Sequence, residues 1–590
     1  MKKRYYIGLA NSVHDSSIAI VNNAGELVFA ESTERYLQNK RSINVSPDHF
    51  GWTRELIGKY AQEADEFVLA LSWSDNMLCS VESGIQELNG KSDIFYKNEK
   101  YIADEIKYEF YYGKFMSFSQ QKMLMNCGTT FEFEMNSMPG NKARICKKTG
   151  WNHHLTHAAT GCFSSGYDKA VCVIFDGYGE KNSVAVFQYD TSKKKLEDIF
   201  AYDSELSESC TGSLGMFYSL ICRMCGFDSL KGEEWKVMGL ACYGKFNQEL
   251  YNLMSDYIWI EDSGIKTCSQ KESMDVIHRL FKHAKKLGQS YLDIADIAFT
   301  GQKLFEDIFS IFIGTCYEKY ELPNLVIGGG CALNSKANGM IIDNTGFDHL
   351  YVFSAPSDDG NSVGAALLSY YDDMTEITIN RPMQHPYLGS CFSSGKLKQA
   401  MEFAGEGCVE YVGDMQFKIA AGYLKEGKII AWANGRAEFG PRALGNRSII
   451  ANPIDIGIKD IINEKVKFRE QFRPFAPSVL SEHASEYFES CQESPYMERT
   501  LTFREEMRDL VPGVVHFDNT GRLQTVSREW NKEYYQLIEE FYKETGIPVV
   551  LNTSFNIMGK PIIHSVEDAI GVFYTSGLDA MFIDGYYFKK

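Results

Sequence analysis

No run of apolar residues in this 590-residue chain approaches the ~20 that a bilayer crossing needs, so no membrane partner is expected. Positive charge is short as well. The 60 Lys and Arg stand against 78 Asp and Glu, a formal net charge of −18. An acidic chain is a poor non-specific binder of nucleic acid, so no nucleic-acid partner is expected. Cysteine is present at fifteen but lacks order, the count being odd and the spacing scattered. One CxxC occurs, Cys222 and Cys225, and no second pair stands near it to complete a zinc site. In Leu220-Ile221-Cys222-Arg223-Met224-Cys225-Gly226 the two read as core-facing helix residues. No secretory leader is expected, since Met1-Lys2-Lys3-Arg4-Tyr5-Tyr6 leads straight into a short strand. Reduced thiols and a cytoplasmic location are therefore expected. What remains, 44% hydrophobic and 23% charged residues, is the composition of a soluble protein with ample core and more than one domain.

Three of the chain's twelve histidines fall in Trp151-Asn152-His153-His154-Leu155-Thr156-His157-Ala158-Ala159. The Ala-Ala run reads as helix, which puts His153 and His157 at i and i+4 on one face. Two neutral imidazoles so placed chelate a divalent metal if carboxylates join them from elsewhere. Tyr5 to Ala10, Ser17 to Val21 and Leu27 to Glu31 read as strands, with a polar loop carrying His14 and Asp15 between the first two. Residues from about Met77 to Lys148 read as a helical elaboration. Ala170 to Phe175 is a buried strand ending in Asp176-Gly177, followed by a second strand at Ser183 to Tyr189. This second strand–loop–strand unit echoes the first, a weak internal repeat.

Later strands at Asn324 to Ile327 and His349 to Phe353 run into Gly328-Gly329-Gly330-Cys331-Ala332-Leu333-Asn334 and Ser357-Asp358-Asp359-Gly360. Glycines at such a place let a ligand approach the backbone. The polar stretch Tyr370 to Pro386 reads as a domain seam. Beyond it, Lys428 to Ala433 is a strand, and a helix is expected to follow Ser448 as far as Lys465. From Arg436 to Arg473 eight Lys or Arg stand against five Asp or Glu. A local positive excess in an acidic chain predicts a small anionic ligand, a phosphate for preference. Pro548 to Asn556 is an apolar strand that delivers Asn552, Thr553 and Ser554 at its end.

Taken in order, these stretches resemble the NodU/CmcH-type O-carbamoyltransferases, the family that carbamoylates Nod factors, cephamycin, aminoglycosides such as tobramycin, and saxitoxin. The matching stretches include the His14-Asp15 loop, the histidine helix, Asp176-Gly177, Lys236-Val237-Met238-Gly239-Leu240-Ala241, Asp359-Gly360, Phe439-Gly440-Pro441-Arg442-Ala443-Leu444-Gly445-Asn446-Arg447-Ser448, Arg473-Pro474-Phe475-Ala476-Pro477 and Leu551-Asn552-Thr553-Ser554-Phe555-Asn556. The resemblance implies an α/β protein of two domains. Residues 1–375 would be a duplicated actin-like (ASKHA) domain, similar to the tRNA threonylcarbamoyl transferase, that binds metal and transfers the carbamoyl group. Residues 385–590 would be a YrdC-like α/β domain that forms carbamoyl-adenylate from carbamoyl phosphate and ATP.

It further implies metal ligands His153, His157, Asp176 and Asp359, holding Fe2+ or another divalent ion, with Mg2+ accompanying ATP. His14, Lys467, Arg522 and Ser554 would be catalytic. Arg442, Arg447, Arg473, Asn552, Gly329, Gly330 and Asn334 would bind substrate or nucleotide. The partners implied are carbamoyl phosphate, ATP and a small hydroxylated acceptor. The acidic charge favours a cationic acceptor, such as an aminoglycoside or guanidinium alkaloid. A homodimer is an allowed assembly. The competing expectations are a tRNA threonylcarbamoylation enzyme, which should carry a broad basic surface, and a non-enzymatic nucleotide switch.

Overall fold

The opening strand–loop–hairpin forms one half of a five-stranded sheet. β1 (Arg4–Ala10) pairs antiparallel with β2 (Ser17–Val21), and β2 with β3 (Leu27–Ser32). On the other side β4 (Glu66–Leu71) and β5 (Arg144–Gly150) run parallel to β1, giving the order β3-β2-β1-β4-β5. This computed structural model describes residues 2–138, 143–210, 212–379, 381–405 and 407–590.

A second sheet repeats the plan. β6 (Lys169–Phe175) pairs antiparallel with β7 (Val184–Asp190), which pairs with β8 (Phe200–Tyr202). A small hairpin, β9 (Ile258–Glu261) and β10 (Gly264–Thr267), stands apart from it. β11 (Asn324–Gly328) and β12 (His349–Val352) then add parallel to β6. The order β12-β11-β6-β7-β8 matches the first sheet strand for strand, so the repeat read from the sequence is a repeat of topology. The central strands β1 and β6 are apolar and buried after their first residue, as strands covered on both faces must be.

Between the sheets' loops lie two small-residue helices. The histidine helix (His153–Ser165) starts at Asn152, whose side chain accepts from the Leu155 N–H at 3.0 Å, and ends at Gly166 with φ +75°. The helix Asn361–Asp372 packs against it and against β1. A Cβ on Gly364 would sit 1.9 Å from the Thr156 carbonyl oxygen, and one on Gly8 would sit 1.7 Å from that of Ser362. Only glycine allows these backbones to approach so closely.

The stretch Met77 to Lys148 is helical over Met77–Asn98, Asp104–Asn126 and Thr129–Ser137, while 139–142 lie outside the described residues. Its end corrects the expectation, because Arg144 to Lys148 belong to β5. That strand is the sheet's edge and alternates exposed with half-buried residues, so no apolar run marks it. All fifteen cysteines are free, and Cys222 and Cys225 are buried in the core. Among the described residues no helix is long and apolar enough to cross a membrane.

The chain divides into two compact units, the first comprising Met1–Glu34, Arg41–Leu333 and Ile341–Gln384, the second Arg35–Lys40, Asn334–Met340 and His385–Lys590. The second unit is built on a nine-stranded mixed sheet. Its strands are β13 (Val409–Tyr411), β14 (Ile430–Ala433), β15 (Arg447–Ala451), β16 (Ala476–Leu480), β17 (Arg499–Thr502), β18 (Thr520–Val526), β19 (Val549–Ser554), β20 (Ala580–Ile583) and β21 (Tyr586–Lys589). Their order is β13-β21-β20-β14-β15-β19-β16-β18-β17. Alternate residues of β14 and β19 enter different cores: Ala431, Ala433, Val549 and Leu551 one, Ile430, Trp432 and Val550 the other. The helix expected directly after Ser448 does not begin there. Ile449, Ile450 and Ala451 are buried on both faces of the sheet, and helix starts only at Ile458. It widens into a π-helical turn over Ile462–Lys467 and stops at Phe468 with φ +51°.

Gly8→Ala should lower stability by at least ~1–3 kcal/mol, the usual cost of forcing atoms into a packed core. Gly84→Ala, on a helix position with nothing within 4 Å, should be neutral or mildly stabilising. Thermal unfolding followed by calorimetry reads both, the first as a depressed midpoint.

Candidate functional site

Two β-strand loops and the histidine helix bring four side chains to one point. His153 Nε2 lies 3.2 Å from Asp176 Oδ2 and 3.6 Å from Asp358 Oδ1. His157 Nε2 lies 3.5 Å from each of the same oxygens. All four residues are buried. A tetrahedron of ligands with ~2.1 Å bonds has edges of ~3.4 Å, so the spacing suits one divalent ion. The His153 Nδ1–H donates to the Ser72 carbonyl at 3.2 Å, which leaves Nε2 as the lone-pair nitrogen facing the carboxylates. The ring also stacks on Trp73 with centroids 3.9 Å apart. Asp176 is held in turn: its Oδ1 accepts from the Gly177 N–H at 2.8 Å and the Gly330 N–H at 3.3 Å. The Asn361 amide, 3.1 Å from His157 Nε2, closes the cluster.

The electrostatics agree with a cation site. Burial disfavours the charged ring of His153, yet Asp176 and Asp358 raise its pKa to about 10. Burial also works against the charge on Asp358, but the two histidines hold its carboxyl well below the usual range. Two buried carboxylates thus require two protons on the imidazoles or one divalent ion, and the donor set fits the ion.

Asp359, expected as the fourth ligand, is not in the cluster; Asp358 takes its place. The pair lies in a 3-10 turn, Asp358–Gly360, where successive side chains diverge by ~120°. The Asp359 carboxylate instead accepts from the Ser32 hydroxyl at 3.1 Å. Burial, with Asp15 close by, pushes its pKa up to about 7. His14 stands beside the cluster, its Nδ1 3.0 Å from Asp15 Oδ2 and 3.8 Å from Asp358 Oδ2. Asp15 adopts φ +56° and is gripped by Arg41, Nη2 to Oδ2 at 3.0 Å. His154 points away from the four and lies against Gly179. Gly329 takes φ +87° and fits its backbone against Phe175, where a Cβ would sit 2.2 Å from the carbonyl oxygen. Asn334 caps the helix Ser335–Asn344 through Ala337.

The second unit carries the opposite charge. Lys467, buried at the end of the π-helical turn, donates to the Ser554 carbonyl, to Ser554 Oγ at 3.3 Å, and to Asn556 O and Oδ1 at 3.0 and 2.7 Å. Burial, then Arg469 and Arg473, push its pKa well below the usual lysine range. Burial and then Arg442 and Arg469 do the same to Arg522, whose Nε has no hydrogen-bond partner. Burial alone brings Arg442 down to about 10. Arg469 stacks on Phe475 at 4.6 Å and leaves Nη2 buried without a partner. Arg473 pairs with the Glu470 carboxylate at 3.1 Å. Mutually repelling buried cations are costly unless an anion joins them.

Arg442, Lys467, Arg473, Arg522 and Ser554 are therefore brought together, and Arg469 joins them without having been expected. Its signal was present in the excess of positive charge, but an arginine two residues past a helix end carries no sign of burial in the sequence. Arg447 and Asn552 serve inside the unit. Arg447 is fully buried, donates to the carbonyls of Asn434, Asn446, Ser390 and Gly435, and stacks on Phe392 at 3.8 Å. Asn552 donates to Ala443, Ser478 and Gln524, leaving Oδ1 as its open acceptor.

Replacing both His153 and His157 by Ala should strip the protein of divalent metal. Asp358→Asn should weaken metal binding by at least about tenfold, the scale on which even outer partners act. Asp359→Asn should retain the metal. Elemental analysis of the purified variants decides, and the Asp358–Asp359 contrast tests the geometry directly.

The description Carbamoyltransferase N-terminus matches residues 5–367, and Carbamoyltransferase C-terminus matches residues 421–590. An uncharacterized protein of Methanocaldococcus jannaschii is 35% identical over 453 residues, 75% of this chain and 73% of that one. One from Synechocystis sp. is 29% identical over 634 aligned residues, 99% of this chain and 97% of its own. Nodulation protein NolNO of Sinorhizobium fredii is 33% identical over 446 residues, 74% of this chain and 63% of its own. With both family halves matched in order, the chain belongs to the carbamoyltransferase family.

Proposed function

We propose that the protein is an ATP-dependent O-carbamoyltransferase that works in two steps. Carbamoyl phosphate and ATP give carbamoyl-adenylate and, overall, pyrophosphate and phosphate; the carbamoyl group then passes to a hydroxyl of a small specialised metabolite. The observation that carries this is the separation of opposite charges: a buried cationic group in the second unit, and a buried acidic, imidazole-bearing centre in the first. The similarity to a protein named for nodulation supports an acceptor outside central metabolism.

The first step handles anions. Arg442, Arg469, Arg473 and Arg522 would take the phosphates, with Mg2+ accompanying ATP, and their charge would offset what develops at phosphorus. Lys467 would share its proton donors between Ser554, Asn556 and a phosphate oxygen. The open acceptor of Asn552 suits the carbamoyl NH2 better than a phosphate oxygen.

The second step needs a polarised carbonyl and a proton acceptor. A divalent ion held by His153, His157, Asp176 and Asp358, with iron(II) the first choice for two imidazoles and two carboxylates, would supply a Lewis acid. His14 would take the acceptor's proton. Its Nδ1–H donates to Asp15, which leaves Nε2 as the base, and Arg41 fixes Asp15 in turn. The acceptor oxygen bonds to the carbamoyl carbon and AMP leaves. Residues 1–375 then form the transfer domain, whose matching strand orders support an actin-like reading. Residues 385–590 form the YrdC-like activating domain.

Lys467→Ala should slow carbamoyl-phosphate-dependent pyrophosphate release about ten- to a hundredfold, the ~1.5–3 kcal/mol of a charge-assisted contact. His14→Asn should keep that release but lose carbamoylated product, followed by mass spectrometry over a panel of hydroxylated compounds. Added carbamoyl-adenylate should rescue Ser554→Ala and not His14→Asn. The reverse pattern would assign the chemistry to the wrong units.

A further inference from the structure

Asn361 is fully buried against the histidine–aspartate cluster, yet its amide is only half engaged. Its Nδ2 lies 3.1 Å from His157 Nε2 and 3.5 Å from His153 Nδ1. Its Oδ1, also buried, has no hydrogen-bond partner among the described residues. An interior amide oxygen left in this way is costly, and buried polar groups ordinarily find partners.

Local structure puts it there. The 3-10 turn Asp358–Gly360 runs straight into the helix Asn361–Asp372, so Asp358 and Asn361, three residues apart, present their side chains on the same face. The residues on either side are pinned. The Gly360 carbonyl accepts from Thr160 of the histidine helix at 2.8 Å, and the Ser362 hydroxyl accepts from Ser17 of β2 at 2.7 Å.

Neither ring nitrogen is a lasting acceptor for the amide NH2. His153 Nδ1 carries its hydrogen toward the Ser72 carbonyl and is therefore a donor. The His157 Nε2 lone pair is the one a divalent ion would take. With that lone pair committed, the amide loses the one acceptor it has among the described residues, and its oxygen still has no donor. Half a turn about Cβ–Cγ exchanges oxygen and nitrogen within the same volume and brings the oxygen to the ion. Neighbouring ligands of a five-coordinate ion with ~2.1 Å bonds stand ~3.0–3.6 Å apart. The 3.1 Å from the amide to His157 and the 3.2–3.6 Å between imidazoles and carboxylates fall in that range.

We infer that Asn361 is a fifth ligand of the metal centre and binds through Oδ1. The inference rests on the divalent ion proposed for His153, His157, Asp176 and Asp358. The protein then offers three oxygens and two nitrogens. That set suits iron(II), cobalt(II) or manganese(II) better than zinc, whose structural sites close at four ligands.

The test is the Co2+ affinity of the full-length protein, measured by competition with a chelator of known strength. Asn361→Leu keeps the size of the side chain and removes both polar atoms. Asn361→Asp keeps an oxygen and removes the NH2. An oxygen ligand predicts that Asn361→Leu binds Co2+ at least about tenfold more weakly, and that Asn361→Asp binds at least as tightly as wild type. An amide that only donates a hydrogen bond to His157 would make the two variants equally weak. That result would overturn the inference, as would unchanged affinity in Asn361→Leu. A crystal structure of the Co2+-loaded wild type answers without any variant: Asn361 Oδ1 is expected within ~2.3 Å of the ion, and an amide left ~3 Å or more away would overturn the assignment. A wild-type protein that takes up no Co2+ would overturn the metal centre and the fifth ligand together. One that binds the ion through Asn361 but forms no carbamoylated product would contradict the transfer chemistry and leave the fifth ligand standing.

Discussion

Burying the Asp176 and Asp358 carboxylates side by side is the constraint around which the first unit is built. Each would be prohibitive alone in a low-dielectric interior. Two imidazoles within 3.6 Å and a place for a divalent ion make the arrangement tenable. That demands three chain segments at one point, and the duplicated topology supplies them: β6 ends at Asp176, the turn after β12 carries Asp358, and the histidine helix crosses between. The glycines at 8 and 364 serve the same end. Larger residues there would push the helix Asn361–Asp372 away from β1 and the histidine helix, and the Asp358 turn is joined directly to that helix.

The second unit answers the inverse problem. Its buried cations repel one another, and an anion bound among them would relieve them all. Such a group destabilises the fold by itself, so its persistence argues for function more strongly than a paired cluster would. The π-helical turn is part of this. It carries Lys467 inward at the last helical position, before Phe468 turns the chain into the left-handed region.

Much of this was legible beforehand, for reasons that differ by residue. His153 and His157 announce themselves through helical spacing, Asp176 through its place at the end of an apolar strand, and the cationic cluster through its contrast with an acidic chain. Asp358 was hidden because two aspartates stand together, and only the turn decides which faces inward. β5 was hidden because edge strands carry no apolar run. The strand at Arg447 was missed because a helix was expected to follow Ser448 directly, whereas burial on both faces makes Ile449 to Ala451 a strand. Arg469 was hidden because nothing in spacing tells a buried loop arginine from a solvated one.

Arg447 and Arg522 show where residue type ceases to inform. Both are arginines next to the family's motifs, and both are drawn into the same unit's interior. Arg447 meets four backbone carbonyls and an aromatic face, so its charge is absorbed by the loops it holds. Arg522 meets Arg442 and Arg469 instead. A guanidinium whose two terminal nitrogens are already bonded to four carbonyls has little left for a substrate, whereas one surrounded by like charge gains from any anion that arrives. The division between holding the fold and binding a ligand is therefore settled by whether carbonyls or cations surround the group, a property of the folded chain that no spacing of arginines along the sequence contains.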